Sequence, residues 1–164
     1  MLQVDELMHK KAEELMFANL LNFGEDGRIE LFNSTAFLFP SEFILKMEEY
    51  LKPEEIYDLA KHIPIPIEKV LTDRKMKDLE RLDFLLELVE ILGMGSLKID
   101  NFDQTSDIQK VIVNNSNPNK ISCHHTRGYL ASAFSSSLNK NFECEETECI
   151  SKGGEKCLFL LTAK

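Results

Sequence analysis

Residues 141–162 read NFECEETECISKGGEKCLFLLT. Two segments of this stretch, about 141–147 and 156–162, are predicted to be strands, and Gly153 and Gly154 lie in the short connection between them. The pattern predicts a hairpin, because glycine accepts the backbone conformations that tight turns need. Three of the four cysteines of the chain lie in this stretch, and the fourth, Cys123, lies upstream of it.

The residues upstream of this hairpin predict two further strands and a helix. Residues 96–102 alternate apolar and polar side chains, and residues 108–114 are rich in β-branched types. Residues 122–139 instead have helical spacing, with Gly128 on a stripe of small side chains that another element could approach closely. The predicted order in this half is therefore strand–strand–helix–strand–strand.

The N-terminal half is predicted to be mainly helical. Apolar residues recur at helical spacing, and short extended runs are expected at 28–33 and, as a strand or a loop, at 34–40. The two prolines of residues 63–67 predict an extended connector. The helices are expected over residues 4–22, 42–51, 53–62 and 67–92.

These elements together predict an α+β fold, in which a helical N-terminal half packs on a twisted antiparallel sheet. A chain of 164 residues is expected to form one domain. Within this single domain, 1–164, we expect a mainly helical part over 1–92. The sheet and a zinc-binding part are expected over 93–164.

Composition and charge narrow the classes of function. The net charge is −9, from 28 acidic and 19 basic residues, so direct nucleic-acid binding is not expected. Asp5, Glu6 and Glu13 lie where a signal peptide needs an apolar core, and no apolar run approaches the ~20 residues of a membrane span. We expect a cytoplasmic protein without a membrane span.

The cysteines favour a metal site. Zinc prefers thiolate ligands at tetrahedral corners, and a turn between Cys149 and Cys157 can bring both thiols together. Cys123, in the first turn of the preceding helix, supplies a third sulfur. The spacing leaves the fourth ligand open, and the candidates are Cys144, Glu146, Glu148, His124 and His125.

Two other interpretations of the cysteines are compatible with the spacing. Free cysteine is among the most buried residue types, so all four could be core thiols. A redox pair such as Cys144–Cys149 is the third alternative.

The C-terminal third resembles the V4R (4-vinyl reductase) domain family. Cys123-x4-Gly128, Glu146-x2-Cys149 and Gly153-x3-Cys157-x-Phe159 match motifs of that family in order and spacing. The Gly93-Met-Gly95 stop is similar to the middle section of the family, although Met94 stands where the family commonly has an aromatic residue. The motif match covers roughly 93–162, and the helical half resembles the family only in general character.

The resemblance implies a fold shared with heme-NO-binding and vesicle-tethering subunits, often as homodimers. In aromatic-sensing regulators of this type the domain holds zinc through three cysteines and one glutamate. The resemblance thus assigns the Zn²⁺ ligands Cys123, Glu146, Cys149 and Cys157, and makes Cys144 a core residue. Four protein ligands leave no open position, so the zinc is expected to be structural.

A small apolar or aromatic ligand is the expected partner of the domain. An apolar cavity is predicted from the Phe- and Met-rich helical half, and the resemblance to effector-binding regulators strengthens this expectation. The alternative is that these side chains simply form the core. The predicted lining residues are Phe32, Phe37, Phe39, Phe43, Met47, Phe84 and Phe134.

These predictions are compatible with three functions. The favoured one is a zinc-containing regulatory or sensor module that binds a hydrocarbon or aromatic molecule. The alternatives are a dimeric scaffold similar to the tethering subunits, or an accessory to a vinyl reductase. No Gly-rich dinucleotide fingerprint is present, which argues against an enzyme, and the 164 residues include no ATPase or DNA-binding module.

Overall fold

The computed structural model divides the chain into two compact units, residues 1–39 and 40–164. The expectation of one domain with a division at residue 92 stays a prediction. The described residues are 21–23, 28–31, 34–36, 46–47, 49–91, 95–114 and 123–164.

The first unit contains a three-stranded antiparallel sheet of short strands in the order β1-β2-β3. The strand β2 falls inside the extended run expected at 28–33. Leu21 and Asn22, assigned by the sequence pattern to the end of a helix, instead pair with β2. The strands are β1 (Leu21–Phe23), β2 (Ile29–Leu31) and β3 (Ser34–Ala36).

The second unit combines helices with a four-stranded sheet, as the fold class predicts. The sheet is antiparallel throughout, in the order β4-β5-β7-β6. The helices are α1 (Pro53–Ala60), α2 (Pro64–Asp73), α3 (Asp78–Ile91) and α4 (His124–Leu138); the strands are β4 (Ser96–Asp100), β5 (Ile108–Asn114), β6 (Phe142–Glu148) and β7 (Cys157–Ala163).

The predicted extended connector over residues 63–67 is wrong, because Pro64 and Pro66 lie in the first turn of α2. The first backbone N–H groups of a helix have no acceptor within the helix, so proline loses nothing there and its fixed φ angle suits the helix.

The single helix expected over 67–92 is also wrong, since the chain breaks between Asp73 and Asp78. Lys75 adopts φ 60°. Its N–H donates to the Thr72 carbonyl, and the Met76 N–H donates to the Leu71 carbonyl. This pair of bonds is the Schellman motif that ends many helices. Lysine occupies the position where glycine is usual, and for this reason the sequence carries no signal that the helix ends here.

One face of the sheet forms the core with α3 and α4. Val111, Phe159 and Leu161 point inward from the central strands and are fully buried. Phe134 of α4 meets Phe142 of β6 edge to face, with ring centroids 6.1 Å apart. This packing fixes α4 against the strands that carry the functional side chains.

Helix α4 is tied to two other helices at specific points. The Tyr129 hydroxyl is buried and donates a hydrogen bond of 2.7 Å to the Leu85 carbonyl of α3. Gly128 lies against α1 so closely that a Cβ atom there would be 2.1 Å from the Tyr57 carbonyl oxygen and 2.8 Å from Ala60 Cβ. Gly128 of the expected stripe of small side chains is therefore the point of close contact with α1, whereas Ser135 of that stripe accepts a hydrogen bond from the Phe142 N–H of β6.

Within the described residues, no helix is long and apolar enough to cross a bilayer.

Gly128→Ala is expected to lower the free energy of unfolding by about 2 kcal/mol or more, since the new methyl group must push α1 away from α4. Urea denaturation would measure the loss. Ser132→Ala, a half-buried position one turn further along α4, is the control and should change stability little. Equal stability of Gly128→Ala and the unaltered protein would contradict this close helix crossing.

Candidate metal centre

Four side chains from separate elements meet at one end of the sheet. Cys123 lies at the N-terminus of α4, Glu146 on β6, Cys149 just after β6 and Cys157 at the start of β7. One ligand atom from each lies within 4.8 Å of all the others. The three thiols and the side chain of Glu146 are buried. These are the four residues that the sequence analysis assigned to a metal.

The distances between the sulfur atoms suit a tetrahedral cation. Cys123 Sγ is 3.3 Å from Cys157 Sγ and 3.7 Å from Cys149 Sγ, and the remaining pair is 4.0 Å apart. A tetrahedral ion with Zn–S bonds of about 2.3 Å places its sulfur ligands about 3.8 Å apart. Three thiols and a carboxylate, all from protein side chains, lie close enough together to hold one metal ion.

Glycine and a β-bulge shape the β6–β7 connection. Glu146 pairs with Phe159 and Glu148 with Leu158, so Thr147 is an extra residue in β6. Such a bulge re-aims the side chains that follow it. A 3-10 turn over Ile150–Lys152 comes next and ends at Gly153, with φ 91°, a value that L side chains rarely adopt. The chain thereby returns from Cys149 to Cys157 within eight residues.

Backbone and side-chain donors surround the sulfurs. The Ile150 N–H lies 3.5 Å from Cys157 Sγ, in hydrogen-bonding geometry. Ser151 Oγ lies 3.0 Å from Cys149 Sγ. Donors aimed at sulfur stabilise thiolate and orient it, which is the usual role of groups that surround metal ligands.

Glu146 offers one free oxygen to the centre. Its Oε2 accepts a hydrogen bond of 2.9 Å from Lys152 Nζ. Its Oε1 is buried and has no partner in hydrogen-bonding geometry among the described residues. A buried polar atom without a partner is costly, and a cation in the cluster would satisfy it.

The electrostatics of the cluster also favour a cation. Burial raises the pKa of Glu146, but the nearby thiols of Cys123 and Cys149 and the Lys152 ammonium outweigh burial and leave that pKa below its usual range. Burial, and then the neighbouring Glu146, raise the pKa of Cys123 and of Cys149. Without a cation these thiols hold their protons, whereas a bound divalent ion favours the thiolates.

Cys144, the rival for the fourth ligand position, lies apart from this cluster. It faces inward from β6, as period-2 alternation predicts for Phe142, Cys144 and Glu146, and pairs with Leu161 in the core. Burial raises the pKa of its thiol to about 12. Cys144 therefore packs as an apolar side chain, two residues from Glu146.

The other candidate ligands also lie outside the cluster. His124 and His125 are half-buried rather than solvated, and the His124 ring is 3.1 Å from an Arg127 nitrogen. Arg127 Nε donates to the Cys144 carbonyl, and the guanidinium lies 4.9 Å from the centre of the Tyr57 ring. Glu148 Oε1 accepts from the backbone N–H of Glu155 within the hairpin.

The structure adds Lys152 to the residues found from sequence. Its side chain is 68% exposed, whereas that of Glu146, which it pairs with, is only 5% exposed. Hydrogen bonding to Glu146 raises the pKa of Lys152. A cation in the turn between two expected ligands was the available signal, but a lysine in a turn is usually solvated.

The predicted apolar cavity falls partly outside the described residues. Phe32, Phe37, Phe39 and Phe43 lie there. Met47 and Phe84 are half-buried, and Phe134 belongs to the fully buried core. A cavity of about 340 Å³ lies at the metal cluster itself and has a largely polar lining of Glu146, Thr147, Glu148, Cys149, Lys152, Gly153 and Gly154.

Comparison with known families identifies the segment that carries the cluster. Residues 117–163 match the V4R domain. The resemblance seen in the sequence is thus confirmed, and all four clustered residues lie inside the matched segment. Among curated proteins, no sequence matches the chain significantly.

Solved structures share the fold of the chain. The phenol-responsive sensory domain of the transcription activator PoxR, solved with phenol, aligns with a TM-score of 0.75 and 16% identity over 95% of this chain and 90% of that one. A vinyl-4-reductase family protein from Methanocaldococcus jannaschii aligns with a TM-score of 0.57 and 16% identity over 79% of this chain and 84% of that one. These likenesses show that the chain shares its fold with both proteins.

A third relative is a trafficking protein particle complex subunit 3 from Naegleria fowleri, covalently bound to palmitic acid. It aligns with a TM-score of 0.56 and 8% identity over 76% of this chain and 90% of that one. An H-NOX protein from S. oneidensis aligns with a TM-score of 0.52 and 11% identity over 99% of this chain and 89% of that one. The expected kinship with tethering and heme-NO-binding folds is confirmed at the level of fold.

Cys157→Ser is expected to abolish stoichiometric zinc binding, because it removes the sulfur nearest Cys123. Cys144→Ala is the matched control: it costs core packing but should retain one zinc per chain. Elemental analysis of the purified variants would measure both. A Cys144→Ala protein without zinc, beside a zinc-loaded Cys157→Ser protein, would contradict the assigned ligand set.

Lys152→Ala is expected to weaken zinc affinity by up to about tenfold, because Glu146 loses the partner that orients its carboxylate. Competition with a zinc-binding dye would report the change. Lys156→Ala, in the same hairpin, is the control and should bind zinc like the unaltered protein. Equal zinc affinity of the two variants would show that the Lys152 side chain has no effect on the metal site.

Proposed function

We propose that this chain is a sensor module for a small apolar or aromatic molecule, with one structural Zn²⁺ held by Cys123, Glu146, Cys149 and Cys157. The observation that carries the proposal is the likeness of nearly the whole chain to a phenol-responsive sensory domain. The V4R match over the segment with the four clustered residues supports it independently.

The zinc is proposed as a fold clamp without a catalytic role. When bound, it would neutralise the thiolates and join the start of α4 to the β6–β7 hairpin. The four protein ligands fill a tetrahedral shell, so no position stays open for water or substrate. The buried Oε1 of Glu146 and the sulfur spacings of 3.3–4.0 Å support this assignment.

The ligand is proposed to be phenol-sized and mainly apolar. Phenol occupies the related sensory domain, and palmitic acid is bound to the related trafficking subunit. The Met and Phe residues named from the sequence remain predicted lining residues. We further propose that the protein is cytoplasmic and acts as a homodimer, without direct contact to nucleic acid.

A dimeric scaffold is the second candidate function, supported by the likeness to the trafficking complex subunit. It differs from the sensor in its response to ligand, since a scaffold needs no exchangeable small molecule. An accessory role beside a vinyl reductase is a further alternative, supported by the likeness to the vinyl-4-reductase family protein.

Native mass spectrometry combined with thermal unfolding would test the sensor proposal. We expect one zinc per chain, and a rise in Tm of about 5 °C or more with phenol at 100 times its Kd, because ligand binding stabilises only the folded state. Ethylene glycol at the same concentration is the control for a non-specific solvent effect.

The outcomes separate the alternatives. A zinc-loaded protein with the same Tm with and without phenol, toluene or a fatty acid would contradict the sensor and favour the scaffold. A protein without zinc that still responds to phenol would contradict the clamp and leave the sensor standing.

A further inference from the structure

We infer that Cys149 is a site of oxidation by hydrogen peroxide and other small hydroperoxides, and that its oxidation to a disulfide with Cys157 releases the metal ion. The inference rests on the structural zinc of the proposed function and adds a second chemical signal to that of the small apolar ligand. Three features of the structure carry it: the cavity beside the cluster, the groups around the Cys149 sulfur, and the strand register.

The polar cavity at the metal cluster reaches one of the three clustered cysteines. Cys149 lines this cavity, whereas Cys123 and Cys157 are not among its lining residues. Lys152 and Gly153, which also line it, are exposed. A water molecule occupies about 30 Å³ in the liquid. A cavity of about 340 Å³ therefore admits hydrogen peroxide, which is only slightly larger than water.

The groups around Cys149 suit an attack of its sulfur on a peroxide. A bound divalent ion keeps the sulfur in the thiolate form, and the thiolate is the form that peroxides oxidise. The hydroxyl of Ser151, an exposed residue, lies 3.0 Å from Cys149 Sγ and can supply a proton to the departing oxygen. The ammonium group of Lys152 lines the same cavity and stabilises a negatively charged leaving group.

The strand register places Cys157 as the partner for a disulfide. Glu148 of β6 pairs with Leu158 of β7. Cys149 and Cys157 are the next residues along the two chains, and Cys149 keeps an extended backbone with φ −143° and ψ 132°. Opposite residues of antiparallel strands have Cα atoms about 4.5–5.5 Å apart, which is within the range that a disulfide spans. The two sulfur atoms are 4.0 Å apart, so side-chain rotation can bring them to bonding distance.

The other two cysteines are less well placed as partners. Cys123 Sγ is 3.7 Å from Cys149 Sγ, a similar distance. Cys123 belongs to the start of α4, however, and no strand register aligns its backbone with that of Cys149. Cys144, which the sequence allowed as a redox partner of Cys149, lies in the core outside the cluster.

The two steps together are a balanced two-electron oxidation. The Cys149 thiolate attacks one oxygen of hydrogen peroxide, so an S–O bond forms, the O–O bond breaks, and the departing hydroxide takes up a proton to become water. The Cys157 thiolate then attacks the sulfur of this sulfenic acid, so an S–S bond forms, the S–O bond breaks, and the second hydroxide is also protonated to water. Two thiolates lose two electrons, and one peroxide becomes two waters.

The disulfide removes two of the four ligands of the ion. Cys123 and Glu146 remain, and two ligands do not make the tetrahedral shell of a structural zinc site. The start of α4 is then no longer joined to the β6–β7 hairpin. Arg127, bonded to the Cys144 carbonyl, and Tyr129, bonded to α3, still hold the helix further along. Oxidation therefore frees the first turn of α4 and leaves the rest of the helix in place.

Treatment of the reduced, zinc-loaded protein with hydrogen peroxide tests the inference. With less than one equivalent of peroxide and with dimedone, which traps sulfenic acid, peptide mass spectrometry should find the adduct on Cys149. With excess peroxide alone, a zinc-binding dye should report one zinc released per chain as one Cys149–Cys157 disulfide forms. A dithiol with added zinc should reverse both changes. Cys144→Ala removes a cysteine from the same hairpin, and this matched control should respond like the unaltered protein.

Zinc and four alkylatable thiols that persist in a large excess of peroxide would overturn the inference. A first dimedone adduct on Cys123 or Cys157, or a disulfide other than Cys149–Cys157, would overturn it as well. A protein isolated without zinc refutes the structural zinc of the proposed function together with this inference. A zinc-loaded protein that resists peroxide refutes this inference alone.

Discussion

The fold of the second unit depends on the register between β6 and β7. That register turns Glu146 inward opposite Phe159, and the extra residue Thr147 then lets Cys149 meet Cys157 across the turn. Cys123 completes the group from the start of α4. A shift by one residue would send Glu146 to the opposite face of the sheet, because side chains alternate along a strand. The register of the hairpin therefore determines whether the metal ligands can meet.

A second constraint positions α4 so that Cys123 can reach the hairpin. Gly128 allows α1 to approach within van der Waals contact, and Tyr129 bonds to the backbone of α3. Arg127 connects α4 to the Cys144 carbonyl on β6. The helix is thus held on three sides within its first two turns, near the residue that contributes the third sulfur.

The C-terminal half was predictable because its signals are local and agree with one another. β-branched composition predicted β5 with its observed bounds, and the strands predicted on either side of the glycine turn agree with β6 and β7 within one residue. The ligand set needed more than spacing, since alternation places Cys144 and Glu146 on the same face. The motif resemblance decided that choice, and the structure brings Glu146, and not Cys144, into the cluster.

The N-terminal half was harder to predict because its deciding residues are compatible with more than one local structure. Pro64 and Pro66 lie in the first turn of a helix, where proline is well accommodated, but two prolines so close together also suit an extended connector. Lys75 ends another in a conformation that usually needs glycine. The role of Lys152 was not predictable for a different reason, since its contact with Glu146 forms only in the folded hairpin.

The sequence distance between Cys123 and its sulfur partners has a consequence for the unfolded chain. The partners lie 26 and 34 residues away. A cation that stayed on two of these thiolates during unfolding would act like a reversible cross-link, and closing a loop of that length removes chain entropy worth about 4 kcal/mol. The unfolded ensemble would be compact at its C-terminal end. Refolding would begin with the loop between Cys123 and its sulfur partner already closed.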